Sequence, residues 1–170
     1  PILSAEELAP FQGTSLTLVL PSESTEKTFF AQQLAEQLAP YDITITLVPL
    51  AWTEYQTALA RSDFDLYLGE IILTPDFNIS SLIHSSGNLN YGSHSNWQTD
   101  SLLALWAGAT PDPTSPLTAA QFYPHIQEQG ILIPLCFKDG TLLAQWEGIS
   151  SATPLQSNLF YNFSAWSLPN

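Results

Sequence analysis

The sequence predicts an α/β fold in which a parallel-rich sheet is flanked by helices. Segments with strand character occur at 16–20, 43–48 and 64–68, and two segments with helical spacing of apolar residues lie between them. The connections are short, and the order strand, helix, strand, helix, strand calls for parallel strands with helical crossovers. The early part of the chain is therefore expected to form the sheet.

The two helices between these strands are predicted from capping residues and apolar periodicity. The first helix has Ser22 or Ser24 as its cap and ends at Pro40. Its apolar residues at four-residue spacing are Phe30, Leu34 and Leu38. The second helix is predicted to place on one face the residues Trp52, Tyr55 and Leu59. Each helix is thus expected to have one apolar side.

Further helices are predicted after a long irregular segment. Residues 69–97 lose periodicity, with one helical turn near the middle, and their apolar content indicates a packed loop. The next helix is expected at 99–107. The pair Ser115–Pro116 predicts the start of another helix, which Pro124 should kink and Gly130 should end.

A C-terminal β-hairpin is predicted after this helix. The segment Ile131–Phe137 has strand character, Asp139 and Gly140 form a turn, and 141–145 return as a second strand. Cys136 is the only cysteine, so no intramolecular disulfide can form. Its apolar neighbours predict that it is a small buried residue of the first strand.

The composition indicates a single domain over 1–170 with an acidic surface. Three basic side chains stand against sixteen acids, and the net charge is −13. Because phosphate binding requires clustered Lys and Arg, the composition excludes a nucleic-acid partner. A signal peptide is not expected within these residues, and no apolar run approaches the ~20 residues that cross a membrane. The chain has no Met, even at position 1, and is expected to be part of a longer protein.

The sequence does not contain the usual patterns of catalytic or cofactor chemistry. The histidines His84, His94 and His125 lack the spacing of metal ligands. No Gly-x-Ser-x-Gly elbow and no Gly-rich phosphate loop occurs. We therefore expect no metal, no cofactor and no catalytic residue. Asp63 and Asp65 are interpreted as acids of a turn and of a strand start.

The stretch from Trp52 to Asp76 is where a binding site is expected. The third strand ends at Gly69 and is followed at once by Glu70. Ligands of parallel α/β sheets usually bind at the carboxyl ends of the strands. Glu70 and Asp76, the two acids that follow this strand, are therefore candidates for ligand contacts.

Seven segments of the chain occur in an order that characterises a known family. They are Gly13–Val19, the helix that ends at Leu38, Ile43–Leu47, Trp52–Gly69 with its ending Asp-Phe-Asp-Leu-Tyr-Leu-Gly, Asn88–Gly92, Asp100–Leu103 and Gly130–Leu135. This series, within about Gly13 to Trp166, resembles the C-terminal part of the extracellular solute-binding proteins of family 5. These proteins are the peptide, dipeptide and nickel receptors of ABC importers.

The resemblance implies one lobe of a two-lobed, periplasmic-binding-protein-like fold of type II. In the family, the loop after the third strand faces the ligand cleft. A Trp often follows the Gly there, and an Asp three residues later holds a peptide's amino group. Here Glu70 takes the Trp place and Leu73 the Asp place, so Glu70 or Asp76 is expected to replace the amine anchor. The ligand-binding residues implied are Glu70, Ile71, Asp76, Asn88, Asn90 and Tyr91.

The expected function is capture of peptides or other small solutes outside the cell for delivery to a membrane permease. The implied partners are the ligand, the ABC permease subunits and the missing N-terminal lobe of the same protein. The implied location is extracellular, as a membrane-anchored lipoprotein, or periplasmic. One alternative is a ligand-sensing regulatory domain, and another is a hydrolase with its site at 69–97. A receptor requires about 300 further residues and a lipoprotein signal upstream, whereas a regulator requires a DNA-binding or signalling module.

Overall fold

Three parallel strands form the sheet that the sequence predicts. In a computed structural model, which describes residues 5–73, 76–110, 114–137 and 161–167, the strands follow the order β2-β1-β3. Their bounds are Ser15–Pro21 for β1, Thr44–Leu50 for β2 and Leu66–Tyr67 for β3. β1 is central: Leu18 pairs with Leu47 on one side and with Leu66 on the other. The predicted parallel pairing is therefore confirmed.

Alternation along β1 divides the buried residues between the two faces of the sheet. Leu18 and Leu20 belong to one core cluster together with Ala31, whereas Val19 belongs to another with Tyr55. Because successive side chains of a strand point to opposite faces, one strand supplies both cores. The central position of β1 explains why its last four residues are all buried.

The chain divides into two compact units. Unit 1 comprises Pro1–Glu70 and Asn90–His94, and unit 2 comprises Ile71–Leu89 and Ser95–Asn170. Unit 1 contains the sheet. The single domain expected over 1–170 stays a prediction.

The helices of unit 1 cover the sheet with fewer large side chains than the sequence pattern predicts. They are α1 (Ala5–Leu8), α2 (Thr25–Leu38) and α3 (Trp52–Arg61), with 3-10 turns at Ala9–Phe11 and Ala39–Tyr41. The predicted cap is confirmed at Ser24, whose Oγ accepts the Lys27 N–H of α2. The buried residue of α2 is Ala31, however, while Phe30 is 42% and Leu34 36% exposed. A small residue lets α2 approach the sheet closely, which turns the larger neighbours outward.

Helix α3 follows the prediction in two of its three apolar residues. Tyr55 and Leu59 are buried, but Trp52 is 55% exposed at the start of the helix. The Tyr55 hydroxyl donates a hydrogen bond to the Leu68 carbonyl at 2.9 Å. This bond ties α3 to the residue that follows β3.

Replacing Tyr55 with phenylalanine is expected to lower the free energy of unfolding by about 1 kcal/mol at neutral pH, because one hydrogen bond is lost. Burial, reinforced by Tyr67 and Tyr91, raises the pKa of Tyr55 above its usual range. The unfolded phenol ionises near pH 10, so this stabilisation is complete below about pH 10 and is lost as the pH rises toward the folded pKa. Urea unfolding between pH 7 and 11 should therefore show a smaller alkaline loss for Tyr55→Phe than for the natural chain.

Asp65 has the structural role that the sequence indicates. Its Oδ2 accepts the Thr17 N–H at 2.7 Å, and its own N–H donates to the Thr17 carbonyl at 3.1 Å. The carboxylate thereby extends the pairing of β1 with the short strand β3.

Unit 2 is helical in the part that the structure describes. Its helices are α4 (Ser80–Ile83), α5 (Trp97–Trp106) and α6 (Phe122–Gln129), with 3-10 turns at Ala119–Gln121 and Phe163–Ala165. Helix α5 begins at Trp97, two residues before the start that the sequence predicts. Asn96 is its cap, and the Asn96 Oδ1 accepts the N–H groups of Gln98 and Thr99. Six buried residues form the core of this unit: Ile83, Leu102, Leu103, Leu117, Phe122 and Ile126.

The predicted start of α6 is wrong. Ser115 accepts only the Leu117 N–H, and the helix begins at Phe122 after a capping box formed by Thr118 and Gln121. Pro124 therefore lies in the first turn, where its missing N–H breaks no helical bond and no kink is required. The predicted end at Gly130 is confirmed, with a left-handed φ of 62°.

Residues 131–137 form no strand in the structure. Cys136, expected to be buried, is exposed, as are Ile133 at 69% and Phe137 at 78%. A strand requires a paired neighbour to bury its side chains. The first strand of the predicted hairpin is therefore wrong, and the turn and returning strand predicted at 139–145 lie outside the described residues.

A polar pair is buried in the core of unit 2. Thr99 is fully buried, His125 is 7% exposed, and the Thr99 hydroxyl lies 2.9 Å from His125 Nε2. Because a buried polar group is costly when it has no partner, this bond gives both side chains a reason to occupy the core. It joins α5 to α6.

Candidate functional site

The carboxyl edge of the sheet in unit 1 carries an ion pair. Glu70 follows β3 and Lys27 lies in the first turn of α2, and their Nζ and Oε2 atoms are 2.9 Å apart. The two elements meet because β1 runs directly into α2 beside the end of β3. This is the edge at which ligands of parallel sheets bind.

The two members of the pair differ in exposure. The Lys27 side chain is 19% exposed and the Glu70 side chain is 55% exposed. An ion pair with one partner in solvent contributes little to stability, on the order of 1 kcal/mol or less. The pair therefore exposes a carboxylate, backed by a fixed ammonium group, to any solute that reaches this edge.

A second acid at the same edge holds the start of α3. Glu23 Oε1 accepts the Trp52 N–H at 3.0 Å. The N-cap position of α3 is Ala51, which has no side-chain acceptor, so Glu23 supplies the acceptor from the loop after β1. The exposed Trp52 ring lies beside Tyr55, with ring centroids 5.8 Å apart.

Replacing Glu23 with glutamine is expected to reduce the loss of folding stability at acidic pH. Hydrogen bonds from its own N–H and from Trp52 lower the pKa of Glu23 below its ordinary value of 4.5. Its contribution is therefore present above about pH 4.5 and is lost as the pH falls through the lower folded pKa. The glutamine amide keeps an acceptor oxygen without the charge. The melting temperature, measured at pH 3, 4 and 6, should fall less on acidification in the variant than in the natural chain. An equal fall in both proteins would contradict the role of Glu23.

Two of the predicted site residues occupy a loop of unit 1. Asn90 braces this loop: its Nδ2 donates to the His94 carbonyl at 2.7 Å and its Oδ1 accepts the His94 N–H at 3.0 Å. The Tyr91 ring packs edge-on against Tyr67 at 6.1 Å, and the Tyr91 carbonyl accepts the Ser62 hydroxyl. Both residues are half-buried, so their contacts order the loop. A role in ligand binding stays a prediction.

The other predicted residues belong to unit 2, apart from Glu70. Ile71 is 37% exposed, Asn88 is exposed in a turn, and Asp76 lines a cavity together with Trp106. The six predicted residues are thus divided equally, with Glu70, Asn90 and Tyr91 in unit 1 and the remaining three in unit 2.

The structure brings together a Ser-His-Asp set that the hydrolase alternative would use. Ser86 Oγ lies 2.9 Å from His84 Nδ1, and His84 Nε2 lies 3.9 Å from Asp100 Oδ1. A catalytic base needs its orienting acid within about 3.2 Å. His84 Nδ1 also accepts the Ser86 N–H, and Asp100 Oδ1 accepts the Ser85 N–H at 2.9 Å. These bonds stabilise the turn after α4 and favour a structural role for His84 and Asp100.

Among the described residues, no three His, Cys, Asp or Glu side chains converge in the manner of a metal site. No helix among the described elements has the length and apolar character needed to span a bilayer.

Lys27 and Glu23 were not predicted as site residues. The available signal was topological, because a helix that follows a parallel strand begins at the same edge where the next strand ends. Lys27 is one of only three basic side chains in the chain and lies three residues after the cap Ser24. That position was sufficient to place it near Glu70.

No protein-family model matches the sequence, and no curated protein matches it. Solved structures do match. The oligopeptide-binding protein AppA from Bacillus subtilis, solved with a nonapeptide, matches 92% of this chain at 19% identity and a TM-score of 0.60. The ABC transporter substrate-binding protein CtaP from Listeria monocytogenes matches 74% at 22% identity and 0.51. The murein tripeptide binding protein MppA from Escherichia coli matches 69% at 18% identity and 0.54.

These matches define the class of fold. The solved proteins are two-lobed binding proteins, so the chain has the fold of one part of a periplasmic-binding-protein-like receptor, and the predicted fold class is confirmed. Within that class, the matching structures are family 5 solute-binding proteins, the family that the sequence resembles. The chain spans 32% of AppA and 24% each of CtaP and MppA. At these identities the likeness establishes the fold.

Proposed function

We propose that the chain is part of the substrate-binding component of an ABC importer, which captures peptides or other small solutes and delivers them to a membrane permease. The observation that carries this proposal is the match of 92% of the chain to an oligopeptide-binding protein. Because the chain spans less than a third of that protein, the N-terminal lobe of the same receptor supplies the opposite wall of the cleft. The receptor works outside the cell, as a lipoprotein or in the periplasm.

The ligand meets this chain at the carboxyl edge of the sheet, and Glu70 is the principal contact. A charge-assisted bond to a ligand ammonium is among the stronger polar contacts available to a carboxylate. The geometry favours such an exchange, since Glu70 is half-exposed while its partner Lys27 remains mostly covered. Ile71, Asp76, Asn88, Asn90 and Tyr91 complete the proposed set of ligand-binding residues.

The proposed function involves no catalysis. The distance of 3.9 Å between His84 and Asp100 is too long for the orienting bond of a triad. The hydrogen bonds of the Ser85–Ser86 main chain to both side chains support their role as turn braces.

The test uses the full-length protein that carries this chain. Solutes that copurify with it are identified by mass spectrometry, and calorimetry with a defined tripeptide pool then measures affinity. Glu70→Gln is expected to weaken binding about tenfold or more, because a charged contact to the ligand is lost. Glu36→Gln is the matched control, since Glu36 is an exposed acid of α2 bonded to Gln33.

Lys27→Met separates ligand contact from structural support. If Glu70 binds the ligand directly, removing the competing ammonium should leave affinity unchanged or improved. Equal losses in both variants would assign the pair a structural role and contradict the proposed contact. Absence of any bound solute or peptide affinity in the folded full-length protein would overturn solute capture itself.

A further inference from the structure

Helix α2 presents an aromatic pair to solvent. Phe29 is 59% and Phe30 is 42% exposed, and their rings meet edge-on with centroids 6.1 Å apart. Leu34, one turn after Phe30, is 36% exposed. The opposite side of α2 packs on the sheet through the fully buried Ala31. Three large apolar side chains are therefore grouped on a helix surface that the described part of unit 1 leaves open.

This outward face of α2 is also acidic. Glu26 lies one turn before the aromatic pair, Glu36 lies in the last turn of the helix, and both are exposed. The only base of α2 is Lys27, whose side chain is mostly covered and whose ammonium group is paired with Glu70. An apolar centre with a carboxylate toward each end is complementary to an apolar pocket bordered by Lys or Arg.

The charge of this face decides between three kinds of occupant. A second copy of the chain would bring the same acids to the contact without a base to meet them, and like charges across an interface are unfavourable. The anionic surface of a membrane would repel these carboxylates as well. A partner protein with basic residues at the contact matches both the apolar centre and the acidic ends.

Helix α2 begins at the edge of the sheet where the ligand is proposed to bind. β1 runs directly into this helix, and Lys27 in its first turn pairs with Glu70 beside the end of β3. A receptor must bring its ligand-binding edge to the permease in order to deliver a solute. The aromatic face therefore lies next to the edge that approaches the permease.

We propose that the Phe29–Phe30 face of α2 docks on the membrane permease, against an apolar pocket bordered by Lys or Arg. The aromatic pair fills the pocket, and Glu26 and Glu36 pair with the basic residues around it. Aromatic residues are enriched in the buried centre of protein interfaces. This inference rests on the function proposed above and adds the surface by which the permease recognises the receptor.

Photocrosslinking tests the contact directly. p-Benzoylphenylalanine replaces Phe29 in the full-length receptor, which is loaded with the tripeptide pool and mixed with the permease complex in lipid nanodiscs. Phe11 is the matched position, because it is 56% exposed in unit 1 but precedes β1 and so lies toward the opposite edge of the sheet.

The expected result is a crosslink to a permease subunit that is about tenfold stronger, or more, from position 29 than from position 11. The inference is overturned if the two positions give equal yields, if no permease subunit is labelled, or if position 29 labels only lipid or a second receptor.

Variants measure how much the face contributes to docking. The double variant Phe29→Ala, Phe30→Ala is expected to raise the receptor concentration for half-maximal stimulation of the permease ATPase by about tenfold or more, because its apolar anchor is lost. Glu26→Lys should raise this concentration about fivefold, whereas Glu6→Lys, at an exposed acid of α1, should change it less than about twofold. The tripeptide affinity of each variant should remain that of the natural receptor.

These measurements distinguish failure of docking from failure of solute capture. A natural receptor that binds no tripeptide and does not stimulate the permease would overturn both proposals. Tripeptide binding without stimulation, or equal stimulation by the double variant, would overturn the docking face alone. A parallel loss of tripeptide affinity in the double variant would assign the aromatic pair to the binding lobe itself and would also overturn docking.

Discussion

Replacing Leu18 with alanine is expected to lower the free energy of unfolding by about 3 kcal/mol, within the range of buried Leu→Ala substitutions. Leu18 is 1% exposed at the centre of β1, and the partners of β1 on both sides limit how far the sheet can close around a cavity. Its core cluster includes Leu20, Ala31 and Ile45. Urea unfolding of the full chain, followed by circular dichroism, measures the loss.

Phe30→Ala is the matched control for Leu18→Ala. It removes a larger side chain, but Phe30 is 42% exposed on α2, so the expected loss is below about 1 kcal/mol. If the two losses were equal, or if Phe30→Ala were the larger, α2 would be packed on the sheet through Phe30 and the description of the core would be wrong.

The part of the fold that the sequence predicts correctly depends on local signals. The strands of unit 1 alternate in period two, and their helices begin at caps such as Ser24. Parallel pairing follows from the order of elements, because short connections leave few other topologies. These signals lie within a few residues of the features that they predict.

The errors arise where the outcome depends on residues far apart in the chain. Phe30 and Leu34 have helical spacing, yet both are partly exposed. The side of α2 that packs on the sheet is the one that carries the small residue Ala31. Ser115–Pro116 is a favourable helix start, but the capping box at Thr118 forms instead. Cys136 has apolar neighbours and is nonetheless exposed. Hydrophobic sequence alone does not supply a partner surface.

The candidate site likewise combines residues that local sequence signals identify with contacts that join residues far apart in the chain. Glu70 is identified by its place after a strand, but its ion pair with Lys27 joins positions 43 residues apart and has no local signature. Likewise, Asp76 is noticeable as a loop acid, whereas the indole of Trp106 that shares its cavity has the apolar spacing of a core residue. Sequence patterns indicate which edge of the sheet to inspect, and the side-chain pairing requires the structure.

Replacing Gly87 with alanine is expected to destabilise the chain by about 3 kcal/mol, at the upper end of overpacking effects. A Cβ at this position would lie 2.5 Å from the Ser81 carbonyl oxygen and 2.7 Å from that of Ser80. These are main-chain atoms of α4, so no side-chain rotation relieves the collision. The Ser81 oxygen also accepts the Leu89 N–H at 2.9 Å, and separating the turn from α4 would break this bond.

Gly92→Ala provides the matched comparison for Gly87→Ala, because a Cβ at Gly92 would meet nothing within 4 Å. That change should be neutral or stabilising by up to about 1 kcal/mol, since alanine restricts the unfolded chain more than glycine does. Hydrogen exchange in Gly87→Ala should rise first at the amides of α4 and of Leu89, because the collision is local to that turn. If the two variants unfold at the same urea concentration, α4 and its turn move apart without cost, and the close packing of Gly87 against the α4 carbonyls contributes nothing to stability.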